Sequence, residues 1–217
     1  MPLLSSGGLG GLFSPTPSGP QPFAYYRLDN NGDDSSANGY NSTGSIGTVT
    51  YSTTAISGTH SHDNGVLLYN QAAFDIGSSP LTIDCYIRMT ATPATITGVL
   101  GKYITSGGDR SYMISVADNG ELRFYVSSSG ADFILLSSAV LSLNTWYRVT
   151  AVYLPSTYMR VYIDGILNGV VTAGVPASLN TTNVDFAIGT GIDFTDASRQ
   201  FNGLIDDVKI YKSIVLP

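Results

Sequence analysis

Two hydrolytic chemistries are poorly supplied by this chain. Cleavage of a glycosidic bond by paired carboxylates needs one acid held protonated and another ionised across the scissile bond. Glu121 is the single glutamate of the sequence, and no two aspartates share one face of one strand in the required pattern. Acyl transfer through an activated serine fares no better, because His60 and His62 stand beside Asp63 with no Gly-x-Ser-x-Gly elbow anywhere. On an extended segment these two imidazoles would point the same way and could grip a transition metal. Two ligands do not complete such a site, so they read as loop histidines. What the sequence does supply is the mixture that sugar recognition needs, an aromatic face for a ring and fixed polar groups for its hydroxyls. One segment, 106–112, carries Asp109, Arg110 and Tyr112. Another, 189–200, carries Asp193, Phe194, Asp196 and Arg199. We expect no catalysis and take these seven as candidate ligand-binding residues.

The elements that position them are strands. Leu81, Ile83, Cys85, Ile87 and Met89 alternate with Thr82, Asp84, Tyr86 and Arg88, the period-2 pattern of a strand with one buried face. Cys85 falls in the apolar phase and reads as a small buried hydrophobe; as the sole cysteine it forms no intrachain disulfide. A first strand is expected in Phe23–Asp29, followed by a polar, turn-rich stretch over 30–39. Further strands are expected near 97–104, 111–117, 121–127, 131–137, 146–154, 157–163, 166–172, 184–189 and 201–211. Asp118-Asn119-Gly120 and Asp164-Gly165 read as hairpin turns of type I′, which require positive φ. Frequent strands without helical periodicity specify a two-sheet antiparallel sandwich. In the closing strand Leu204, Asp206, Val208 and Ile210 share one parity. Either Asp206 enters the apolar face with partners, or a bulge at Asp206-Asp207 returns Ile205 and Val208 to the same side.

Three blocks within residues 23–217 carry a resemblance. Asp34-Ser35-Ser36-Ala37-Asn38-Gly39 follows the opening strand, VLLYNQAAFDIGSSPLTIDCYIRM comes next, and Trp146-Tyr147-Arg148-Val149 leads through Tyr162-Ile163-Asp164-Gly165 to GLIDDVKIY. Together they resemble the laminin-G-like, concanavalin A-like lectin/glucanase jelly-roll family. The resemblance implies an all-β, two-sheet antiparallel jelly roll over 23–217 and places Trp146 in its core. Glucanase members carry a Glu-x-Asp-x-x-Glu strand, which a chain with one glutamate lacks. Many laminin-G-like domains hold a structural calcium ion. The resemblance brings Asp34, Asp206 and Asp207 forward as its ligands, joined by Asp29 at the end of the first strand; Ca²⁺ takes about six to eight oxygens. A metal-free hydrogen-bond network is the alternative.

Charged residues are 12% of the chain and the net charge is −6. An acidic balance with scattered cations argues against nucleic-acid binding, and no stretch approaches the ~18 apolar residues of a membrane span. A surface so poor in charge hints at coverage by partner chains in an oligomer. Residues 1–22 are rich in Gly, Pro and Ser, yet include Leu3, Leu4, Leu9, Leu12 and Phe13. This is the expected composition of an extended arm lying on a neighbouring subunit. The segment lacks the basic start and apolar run of a secretory leader. For a family found mostly outside cells, one resolution is a virus, since phage proteins leave the host by lysis; a sequence trimmed from a longer protein is the other. We therefore expect a non-catalytic surface module of a bacteriophage particle, a capsid or tail appendage that binds host-surface glycans. A purely structural virion decoration and a lectin or adhesin domain of a secreted cellular protein are the alternatives.

Overall fold

The computed structural model describes residues 19–70, 72–190, 192–194 and 196–217. The arm expected over residues 1–22 lies outside them as far as residue 18. The strands are β1 (Ala24–Tyr26), β2 (Gly44–Ser52), β3 (Ser61–Tyr69), β4 (Leu81–Met89), β5 (Thr97–Tyr103), β6 (Arg110–Val116), β7 (Glu121–Val126), β8 (Ile134–Val140), β9 (Trp146–Leu154), β10 (Tyr158–Ile163), β11 (Ile166–Val171), β12 (Phe186–Ile188) and β13 (Gly203–Tyr211). They pair antiparallel in the order β11-β10-β9-β4-β13-β3-β12-β5-β6-β7-β8, with β1 added on β13 and β2 on β3. The sheet folds over on itself. Its ends approach where Ser138 on β8 donates to Asn168 on β11 at 2.9 Å.

Period-2 alternation puts one face of every central strand into a shared core. Ile83, Cys85 and Ile87 of β4, with Val149, Ala151 and Tyr153 of β9, meet Tyr112 and Ile114 of β6 and Phe124 of β7 there. Cys85 is fully buried and unbridged, and burial pushes its thiol pKa up. An aromatic cluster fills one region: Phe74 stacks on Phe186 at 4.6 Å, and Tyr69 lies 5.8 Å from Phe186. Lys102 enters the same interior with no exposed side-chain surface, held by Asp75 at 2.5 Å and the Thr182 carbonyl at 2.8 Å. An ammonium buried so deeply needs such partners.

The closing strand takes the bulge. Its register against β4 shifts between Asp206 and Lys209, Asp207 adopts φ 51, and Ile205, Val208 and Ile210 all reach the core. The Asp164-Gly165 turn has φ 51 and 79, as type I′ demands. The 118–120 turn differs. Only its Gly120 has positive φ, 83, and Gly120 N–H donates to the Ala117 carbonyl. That is a type I turn closed by a left-handed glycine, the three-residue hairpin form. His62 also departs from expectation, being buried within β3 and not in a loop.

Burial gives this region two opposed titrations. It pushes Asp206 up to about 6, against the N–H groups of Ser57 and Ile56, and pushes His62 down to about 4. Between the ordinary carboxyl value of 3.8 and about 6, the folded state holds a proton on Asp206 that the unfolded chain releases. The contribution of Asp206 is therefore lost as pH rises through that window. His62 acts the other way. Below 6.5 the unfolded chain binds a proton that the folded state refuses until about 4, so stability is lost on acidification. Asp206→Asn removes the first effect alone. Its melting temperature should fall more steeply than the parent's from pH 6.5 to 4; parallel curves would contradict this.

Candidate functional site

A cleft of about 270 Å³ opens on the face of β5, β6 and β7 that points away from the core. Its floor is Tyr103, Met113 and Tyr125, brought together because Met113 stands opposite both Gly101 and Tyr125 in the sheet register. Tyr103 and Tyr125 lie 5.9 Å apart, and Phe133 extends the aromatic surface at 5.5 Å from Tyr125. Phe133 is 47% exposed, so its ring is free to meet a ligand. Ile96, Ile192, Arg110 and Arg199 close the walls.

The loops hold these walls by hydrogen bonding. Asp132, just before Phe133, accepts from Ser127 Oγ at 2.9 Å, Ser128 Oγ at 3.0 Å and Ser129 N–H at 3.2 Å. Slight burial opposes ionisation there, but these donors outweigh it and hold the carboxyl well below the usual range. Arg110 donates from Nη1 to the Ala131 carbonyl and from Nη2 to the Thr105 carbonyl at 3.1 Å. It thereby ties the two loops flanking the cleft. Its guanidinium lies 6.0 Å from the Tyr103 ring centroid and 5.7 Å from that of Phe133. Arg199 donates from Nη1 to Thr95 Oγ1 at 3.0 Å and to the Ile96 carbonyl at 3.3 Å.

Of the seven residues expected to bind ligand, Arg110 and Arg199 meet in the cleft. Tyr112 does not. A register shift between Lys102 and Tyr103 turns Arg110 outward, while Tyr112 points into the core and donates to the Phe74 carbonyl at 3.0 Å. Phe194 is 8% exposed and packs beneath its loop against Val66 and Ala187. Asp196 caps the short 3₁₀ turn Ala197–Arg199 by accepting from Ser198 N–H. Asp109 and Asp193 are half-buried loop residues outside the cleft lining. The aromatic floor was missed, although Tyr103, Met113 and Tyr125 occupy the non-core phase of their strands. Trp146 is also out of its expected place. It shares the outward phase of β9 with Arg148, pairs with Arg88 and is half-buried; Tyr147, Val149 and Ala151 take the core side.

The aspartates expected to bind calcium are engaged separately. Asp34 accepts from Tyr25 N–H at 2.9 Å, Ser36 N–H at 2.8 Å and Tyr40 N–H at 2.8 Å. Burial opposes its ionisation, but these donors lower its pKa. Asp29 accepts from Thr59 N–H at 2.5 Å and His60 N–H at 3.0 Å. Asp207 accepts from Tyr25 Oη at 2.5 Å and Lys209 Nζ at 2.6 Å. One oxygen of Asp206 accepts from Ile56 and Ser57 N–H at 2.8 and 3.0 Å, pinning the segment before β3. Among the described residues no three His, Cys, Asp or Glu side chains converge on a metal position. Asp29, Asp34 and Asp207 are spent on backbone N–H groups, hydroxyls and Lys209, and only Asp206 keeps an oxygen without a partner, so the described residues gather no shared ligand set from the four.

The chain is thus an antiparallel all-β jelly roll that carries an outward cleft of aromatic rings and arginines. The concanavalin A-like lectin/glucanases superfamily model matches residues 57–216, and the chain belongs to that family. No curated protein matches it by sequence. Among solved structures it is similar to the binding domain of Paraclostridial Mosquitocidal Protein 1, with TM-score 0.69 and 15% identity over 90% of this chain and 49% of that one. It also resembles the botulinum neurotoxin serotype D ligand-binding domain solved with N-acetylneuraminic acid, with TM-score 0.67 and 14% identity over 90% of this chain and 48% of that one. Domain 4 of AbnA, a GH43 extracellular arabinanase from Geobacillus stearothermophilus solved with arabinotriose, aligns with TM-score 0.63 and 19% identity over 89% and 93%. The chain thus spans about half the length of the toxin domains and nearly all of the arabinanase domain. At these identities the likeness shows the fold.

Proposed function

We propose that the protein is a non-catalytic glycan-binding module whose ligand lies over Tyr103 and Tyr125, between Phe133 and the two arginines. One observation carries this reading: the cleft combines aromatic rings with fixed cationic donors and, among the described residues, has no carboxylate in its lining. That is the composition of a binding site, and it lacks the acid pair that glycoside hydrolysis uses. The sole glutamate is engaged elsewhere, by Arg123 at 2.8 Å. Support also comes from the relatives solved with arabinotriose and N-acetylneuraminic acid.

The test is a glycan array read with the parent and with Phe133→Ala. Loss of an exposed aromatic anchor is expected to weaken binding roughly tenfold or more while leaving the melting temperature unchanged. An array on which the parent retains nothing, or on which both proteins bind equally, would overturn the assignment. Within the same proposal we place the module on a bacteriophage particle, held to virion proteins through residues 1–22. The charge-poor composition and the apolar side chains of that segment support this. Residues 23–217 alone should then fold but be missing from purified particles; their incorporation would refute the anchoring role.

A further inference from the structure

We propose that the sugar taken by this cleft is acidic, with its carboxylate or sulfate held by Arg110 and assisted by Arg199. The inference rests on the glycan-binding reading of the same cleft and goes further by naming the ligand's charge. Four cations of this chain, Lys102, Arg123, Arg148 and Lys209, have carboxylate partners within 2.5–2.8 Å. Arg110, like Arg88, Arg160 and Lys212, is not among them, and of these it is the one in the cleft lining. Among the described residues no carboxylate forms an ion pair with it, although the protein carries net charge −6. Its Nη1 and Nη2 donate to the carbonyls of Ala131 and Thr105. Neutral acceptors orient the guanidinium without cancelling its charge.

A guanidinium has about five N–H donors in a rigid fork, so hydrogens remain after those two bonds. The fork suits bidentate capture of a planar or tetrahedral oxyanion. Flanking by the Tyr103 and Phe133 rings displaces water from one side, which strengthens a charge–charge contact there. Arg199 adds a second cation to the lining. Its own counter-charge is loose, since Asp196 lies 3.7 Å from Nε and spends its Oδ1 on Ser198. An acidic ring would rest on the aromatic floor and present its anionic group to the arginines.

Uronate-containing, sialylated, sulfated and neutral oligosaccharides, with carboxyl-reduced copies of the first two, would be printed on one array. Parent, Arg110→Gln and Arg199→Gln proteins would be compared on it. The parent should prefer acidic glycans over their reduced or unsulfated counterparts by about tenfold or more. Arg110→Gln should lose far more affinity for acidic copies than for neutral ones, so that the preference collapses, whereas mere loosening of the loops would weaken both alike and keep it. Response confined to carboxylate or to sulfate identifies the group, and either supports the proposal. Equal retention of acidic and neutral copies overturns it while leaving glycan binding intact. Retention of no glycan overturns both.

Discussion

Replacement of Phe186 by alanine is expected to destabilise the fold by about 3–5 kcal/mol, the cost of truncating a buried aromatic ring. Phe186 has no exposed surface and lies nearly parallel to Phe74, with centroids 4.6 Å apart and planes at 13°. Tyr69 and Tyr112 stand 5.8 and 6.4 Å away, so the void would be lined by rings that cannot readily collapse into it. The residue also sits in β12, a strand of only 3 residues pairing with β3 on one side and β5 on the other. So short a strand has little pairing of its own, and its side chains must hold it. For a domain of this size each kcal/mol corresponds to about 2–4 °C, so melting should drop by roughly 6–20 °C. Urea unfolding with an unchanged slope would establish that the native state lost the energy; a loss below about 1 kcal/mol would mean that the core repacks.

Gly130→Ala should damage binding more than folding. Gly130 has φ +80, and a Cβ placed on it would stand 1.7 Å from the Gly108 carbonyl oxygen and 2.5 Å from Asn180 Nδ2. Backbone must move to admit a methyl group, and the left-handed conformation costs an alanine about 1–2 kcal/mol besides. The displaced segments carry Thr105 and Ala131, the two carbonyls that orient Arg110, so the cleft loses its cation geometry. Ligand affinity is expected to fall by more than about tenfold, since approximately 1.4 kcal/mol suffices for that factor. Gly77→Ala is the control. Gly77 has φ +56 with nothing within 4 Å of an added Cβ, so it bears the conformational cost without the collision. If both variants bind like the parent, the close approach of the two loops does not shape the site.

Strands with strong alternation and bounded turns were readable because their physics is local. Leu81 through Met89 occupies the core in the expected phase, and β9 runs over the expected Trp146–Leu154. β2, by contrast, was not anticipated. Its Gly-Ser-Ile-Gly-Thr-Val-Thr-Tyr-Ser sequence has no fully buried residue; Ile46, Val49 and Tyr51 only rest half-buried against the core, a weak pattern that pairing with β3 completes. The polar loops of Arg110 and Arg199 were visible in the sequence, and both side chains line the cleft. Their company there was not visible.

The amino-acid sequence by itself determined the all-β class, the family, the buried face of β4, the Asp206-Asp207 bulge as one of two solutions, and the poverty of acid–base groups. Each follows from residue type, parity or supply, which are properties of short stretches. Tertiary structure alone decided which outward-facing residues adjoin. It set the register of β5 on β6 and β7 that joins Tyr103, Met113 and Tyr125, and the bulge that sends Arg110 outward and Tyr112 inward. It also turned Phe194 under its loop and Trp146 away from the core. The physical reason is that a one-residue shift in pairing moves a side chain to the opposite face. Parity along one strand therefore cannot say which neighbours a side chain meets, and a cleft made from three strands and three loops exists only once their registers are set.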